Sequence, residues 1–322
     1  MSMDLDGALE RRRLRRRLSV WRIGAVLLGL VAILALIARA GGEDGLGGSD
    51  QIARVAIEGL ITDDRKQIEL LEKLGESDRV KAVILAVNSP GGTTTGGESL
   101  YEAITALKAK KPVIAVCGTM ATSAAYMISL ATDRIVARGN TITGSVGVIF
   151  QFPEVSGLLD KLGVKMYEIK SGPLKANPSP FQPPDAAGLA LAEEMVKESQ
   201  QWFNALVADR RKISPSAVPG LTDGRIYSGR QALTLKLIDE IGGEKEALAW
   251  LAASKGIDAE LKVVDWKPKS ESGWDFFGSR DSFADRLAAL AGLDLATRLD
   301  KNSVIQALQL DGLLSLWHGP EN

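Results

Sequence analysis

Ile23 to Ala38 form an unbroken uncharged run, IGAVLLGLVAILALIA. As a helix its sixteen residues rise about 24 Å, at ~1.5 Å per residue. A hydrocarbon core needs about 30 Å. Val20, Trp21 and Ala40 lengthen the span, and Arg22 and Arg39 can snorkel to the two interfaces. The pattern predicts a transmembrane signal anchor over residues 23–40. Ala38-Arg39-Ala40 also fits an A-x-A cleavage site, so a cleaved signal peptide is the competing reading. Gly41–Asp50 (GGEDGLGGSD) reads as a flexible tether.

From Gln51 the pattern becomes short β-rich runs alternating with helical stretches. Gln51–Ile57 alternates apolar and polar as a half-buried strand, whereas Val80–Val87 (VKAVILAV) and Pro112–Val116 read as buried strands. Arg134–Ala137, Gly147–Phe150, Lys165–Ile169 and Leu261–Val264 are further strand candidates. Helical spacing runs over Lys66–Leu74, Glu98–Lys110, Ser123–Leu130, Val155–Lys161 and Asp185–Arg211. The alternation predicts an α/β domain over residues 51–256 with largely parallel pairing. Residues 257–322 form an extension, with helices expected over Phe283–Leu299 and Val304–Trp317.

Charge refines this picture. The chain has 322 residues with Lys+Arg 39 and Asp+Glu 40, a formal net charge of −1. That balance argues against a general nucleic-acid partner. Residues 1–22 nevertheless carry seven arginines and three acids. Such a block before an apolar run marks the cytoplasmic side, so the folded domain is expected outside the cytoplasm.

Two single residues constrain the chemistry. Cys117 is the only cysteine, which excludes an intrachain disulfide and a zinc site of paired cysteines. His318 is the only histidine and is the fifth residue from the end. A hydrolase here needs another base, and neither a metal nor a cofactor is expected.

Three segments carry candidate chemistry. Asn88-Ser89-Pro90-Gly91-Gly92 lies between a strand and a helix, where glycines leave backbone N–H groups available to an anion or a developing oxyanion. It reads equally as a tight turn, but not as a phosphate loop, since no lysine lies between Val87 and Lys108. Gly118–Tyr126 (GTMATSAAY) places Ser123 at a strand–helix junction among small residues, as a nucleophile or an ordinary helix cap. Ile169–Pro178 carries Lys170 and Lys175 on a Gly/Pro loop. A lysine with an ordinary pKa of about 10.4 needs lowering by about 3 to act as a base near pH 7.5.

Together these segments resemble the signal peptide peptidase A family of membrane-bound serine proteases, relatives of the Clp protease and crotonase superfamily. The matching pieces are VNSPGG (Val87–Gly92), GTMATSAAY, TGSVGVI (Thr143–Ile149), IKSGPLKANPSPF (Ile169–Phe181) and DGRIYSGRQALTLKLIDEIGG (Asp223–Gly243). The resemblance spans residues 51–255 and the anchor, and the length matches the short family form. It implies a repeated ββα superhelix of the crotonase/Clp type and a Ser–Lys dyad, Ser123 as nucleophile and Lys175 as base. Gly92 and Ala124 would supply the oxyanion hole and Ser145 would orient the base. An acidic residue often follows the second lysine in this family, and here Ala176 stands there. The resemblance further implies peptide substrates such as remnant signal peptides and misfolded envelope proteins. It also implies a ring-shaped homo-oligomer with shared sites, on the outer face of the cytoplasmic membrane. An acyl-CoA enzyme and a catalytically idle membrane scaffold are the competing readings.

Overall fold

The computed structural model describes residues 21–31, residues 49–268 and the backbone of residues 314–316. Contacts divide the chain into two units, Met1–Ser49 and Asp50–Asn322. In the first unit, residues 21–31 are helical (α1), and Trp21, Leu28 and Val31 on it are exposed. Among the described residues no helix is long and apolar enough to cross a membrane. Residues 32–40 of the expected anchor and most of the tether lie outside the described residues.

The second unit is a mixed α/β fold around one sheet. Its central strands run in the order β3 (Val113–Thr122), β2 (Val80–Thr93), β1 (Gln51–Ile61), β8 (Lys262–Trp266), all parallel. On its other edge β3 has two successive parallel neighbours. Ile114–Cys117 pair with β4 (Arg134–Ala137), and Met120–Thr122 pair with β5 (Ile142–Gly144). β7 (Glu240–Ile241) extends the sheet from β4, and β6 (Ile226–Ser228) adds antiparallel to β5. β9 (Leu314–Leu316) pairs antiparallel with the end of β2.

β2 and the first half of β3 read as mostly apolar runs because both faces are covered. Val83, Leu85 and Val87 of β2 enter the larger core. That core is closed by α2 (Arg65–Glu76), α3 (Thr94–Lys110), α4 (Ala124–Leu130) and α6 (Ala186–Arg211). Ala82 and Ile84 point the other way, onto Ala247 and Leu251 of α8 (Glu244–Lys255). Each fully buried Leu, Ile or Val contributes about 1.5–3 kcal/mol relative to exposure. Tyr126 is anchored as well as buried: its hydroxyl donates to Leu237 O at 2.9 Å. The remaining helices, α5 (Ser156–Lys161) and α7 (Gly229–Thr234), are single turns or little more.

Several expectations are corrected. β2 continues through the glycines to Thr93, and α3 starts at Thr94 rather than Glu98, capped by Thr93 Oγ1 accepting from Gly96 N–H at 3.0 Å. Gly147–Phe150 is not a strand: β5 takes the edge of β3 at residues 142–144, and Gly144 and Ser145, at φ 88° and 52°, turn the chain away. Lys165–Ile169 is irregular and mostly exposed, and it pairs with no strand among the described residues. Residues 314–316, inside the helix expected over Val304–Trp317, form β9 instead. The helix expected over Phe283–Leu299 lies outside the described residues.

Candidate active site

The site assembles where β2, β3 and β5 end. Ser123 follows β3 and precedes α4, with φ 57° and ψ −121°. A non-glycine residue in such a conformation costs on the order of 1–3 kcal/mol and persists only where its surroundings fix it. Here they do. Ser123 N–H donates to Gly144 O at 2.9 Å, and Ser123 O accepts from Met127 N–H at 2.9 Å. All seven residues of the following helix, Ala124 to Leu130, are buried, so the turn is held from below.

The glycine segment is tied to the same turn. Thr122 Oγ1 donates to Pro90 O at 2.9 Å, and Met120 N–H donates to Asn88 Oδ1 at 3.2 Å. Ser89 is opposite Ala121 in the β2–β3 register. Its Oγ accepts from Gly91 N–H at 3.1 Å, which holds the bend at Gly91, φ 115°. Gly92 has no room for a side chain, since a Cβ would run into the Ile61 carbonyl. Gly97, one turn into α3, allows α3 and α4 to pack closely, since a Cβ there would stand 3.0 Å from Met127 Sδ and 3.1 Å from the Ala124 Cβ.

Ser145 lies just beyond β5, with φ 52° and 8% exposure, and its N–H donates to Arg225 O at 2.9 Å. Gly144 thus bonds to Ser123 while its neighbour Ser145 is fixed from the β6 side. Gly92, Ser123, Ala124 and Ser145 are therefore brought together by the ends of three adjacent strands. A cleft of about 570 Å³ opens beside Ser145, lined also by Gly147, Gln200 and Thr222.

The two lysines are placed differently. Lys175 is exposed on the 171–178 loop, where its N–H donates to Gly172 O at 3.1 Å. Lys175 makes no ion pair or side-chain hydrogen bond among the described residues. Lys170 is instead paired with Glu168 at 2.6 Å. Glu168 also accepts from Ser179 Oγ at 2.7 Å and Gln182 Nε2 at 3.3 Å. Lys170 first and Ser179 second hold its carboxyl below the usual range. Asp185 caps α6 by accepting from Gly188 N–H at 2.7 Å and takes Asn177 Nδ2 at 3.0 Å. The loop bearing Lys175 is thus fastened at Glu168 before it and at Asn177 and Ser179 after it. Sequence reasoning missed this fastening and the Thr122 tether, although the spacing of Glu168, Asn177, Ser179 and Asp185 around the lysines was a readable sign. Buried Cys117, pushed up to about 12 by desolvation, is no candidate nucleophile.

Comparison with known proteins identifies the family. The family model for peptidase family S49 matches residues 105–258, and that for Clp protease matches residues 53–140. A protein of Methanocaldococcus jannaschii named as a protease is 34% identical over 265 residues, 77% of this chain and 85% of that one. An Enterococcus faecium protein named as signal peptide peptidase SppA is 34% identical over 231 residues, 67% of each chain. A chloroplastic protein of Arabidopsis thaliana named serine protease SPPA is 30% identical over 235 residues, 68% of this chain and 34% of that longer one. These matches make the chain a peptidase, with a mixed α/β fold consistent with the Clp protease type. The chain belongs to peptidase family S49.

Proposed function

We propose that this peptidase is a membrane-anchored serine endopeptidase that works by acyl transfer through a Ser–Lys dyad. The observation that carries the reading is Ser123: a serine forced into a left-handed turn at a strand–helix junction, facing the glycine end of the neighbouring strand. Ser123 Oγ attacks the scissile carbonyl. Lys175 takes the hydroxyl proton and returns one to the leaving amine, after which water hydrolyses the acyl-enzyme. The N–H groups of Gly92 and Ala124 stabilise the oxyanion. Ser145 hydrogen-bonds the Lys175 amine and directs it. The fold is read as the crotonase/Clp-type superhelix.

Lys170 is occupied by its ion pair with Glu168, which leaves Lys175 as the lysine of this segment for the role of base. The exposure of Lys175 in one chain supports a site completed by a neighbouring subunit of a ring-shaped homo-oligomer. Exposed Leu158, Leu162, Tyr167 and Ile169 beside that loop supply an apolar surface for such a neighbour. The arginine-flanked apolar run supports a single-pass anchor, with residues 51–256 as protease domain on the extracytoplasmic side. Remnant signal peptides and misfolded envelope proteins are the substrates this placement favours. A fluorophosphonate probe tests the centre of the reading: it should label the protein, and Ser123→Ala should abolish the label. Equal labelling of the Ala variant would sink it.

A further inference from the structure

Two bonds hold the Ser145 turn. Ser145 N–H donates to Arg225 O, and the carbonyl of the next residue, Val146 O, accepts from Gln200 Nε2 at 3.1 Å. The same Nε2 lies 3.4 Å from Thr222 O, in the short turn that leads into Arg225, and 3.2 Å from Asn204 Oδ1. Both supports of Ser145 therefore run back to one carboxamide.

The helix that carries Gln200 is also fixed to the serine half of the site. Gln200, Phe203, Val207 and Arg210 fall on one stripe of α6, at steps of three and four residues. Phe203 and Val207 are buried in the core. Arg210 donates to Leu130 O at 2.7 Å and to Thr132 O at 3.1 Å, at the foot of α4. Ser123 stands at the head of α4, so a single helix ties down the serine helix and the Ser145 turn, about 15 Å apart along its axis at ~1.5 Å per residue. A polar amide on a core-facing stripe costs free energy unless its hydrogens are bonded. Here they go to the carbonyls that frame Ser145.

We infer that Gln200 is a positioning residue of this enzyme, its carboxamide setting the Ser145 turn relative to Ser123. The inference rests on the reading of Ser145 as the group that directs Lys175. At φ 52° Ser145 holds a conformation that its surroundings must impose. Without the Nε2 donor, the turn is left with the Arg225 bond alone.

Two variants of the full-length protein test this. Gln200→Met keeps the bulk and removes the donor. Gln200→Glu keeps the shape and turns a carboxylate toward two carbonyl oxygens. At matched melting temperatures, amide exchange over residues 144–148 should quicken in both. Hydrolysis of a fluorogenic peptide by Gln200→Met should lose about tenfold in kcat with KM unchanged, and Gln200→Glu should lose more. Made on top of Ser145→Ala, the Met change should cost less than about twofold, because a residue that acts through Ser145 then has nothing to position. A loss of the same factor in both backgrounds, or an undiminished kcat in Gln200→Met, would overturn the inference. Full turnover in Ser145→Ala, or no cleavage by the unaltered chain, would bring down the site reading and the inference with it, and faster exchange would then leave Gln200 a structural clasp alone.

Discussion

Thr122 Oγ1 reaches across to Pro90 O at 2.9 Å, joining the residue before Ser123 to the residue before Gly91. This bond fixes how far the glycine end of β2 stands from the serine turn. Thr122→Val keeps the shape and removes the donor, leaving Pro90 O short of a partner. An unsatisfied buried group of this kind costs about 1–3 kcal/mol. Thermal unfolding should show that loss, and kcat should fall further than KM rises.

The two lysines separate cleanly. Peptide hydrolysis by Lys175→Ala should fall by several orders of magnitude, while Lys170→Ala retains most turnover. Lys175→Arg should fail like the alanine, since a guanidinium keeps its proton. Loss of turnover in Lys170→Ala alone would reverse the assignment of the base.

Sharing of the site between subunits makes a different prediction. Ser123→Ala and Lys175→Ala chains, each inactive, should regain part of the activity when co-assembled. Proven mixed oligomers that stay inactive would place both residues of each site in one chain.

Gly188 has no space for a methyl group, because a Cβ there would strike the Asn177 side chain. Gly188→Ala should push Asn177 off Asp185 and release the loop that carries Lys175. Activity should drop sharply for a small change in melting temperature, because the core residues of α6, Phe203 and Val207, lie far along the helix. Equal, proportionate losses of activity and stability would count against a positioning effect.

Acid should act on the same loop. Glu168 is held below the usual carboxyl range by Lys170 and Ser179, and Asp185 by Gly188 N–H and Asn177. Groups depressed in the folded state contribute fully above the ordinary carboxyl pKa of about 4, and lose that contribution as pH falls through the lower folded value. Protection of the amides of residues 166–180, relative to their intrinsic exchange at each pH, should therefore fall below about pH 4, and Glu168→Gln should lower it at neutral pH and flatten that acid limb.

The buried strands were the most legible elements. Arg134–Ala137 is a strand as predicted, β1 and β2 contain their predicted runs, and β3 begins at Val113, one residue inside its own. Each extends past its run at the C-terminal end, because the ladder with its neighbours carries small and polar residues that propensity alone would end. Asn88–Gly92 and Gly118–Thr122 are such residues, and they lead into the candidate site. Lys165–Ile169 failed for the opposite reason: alternation marks a strand only where an edge waits to receive it. The serine turn was readable from Gly118–Tyr126. Its partner Gly144 was not, since the bond between them joins residues that only the β3–β5 register brings together.

The change of neighbour along β3 has a consequence for how this enzyme can diversify. Its first half is locked between β2 and β4, deep in the interior, whereas its last three residues lean on β5 and, through it, on β6. The end of β3 that leads into Ser123 thus has a neighbour of its own, distinct from the strand that flanks its first half. Changes confined to β5, β6 and their connections reach Ser123 through Gly144 without disturbing the register further down. Selection can retune the cutting edge there while the framework stays as it is.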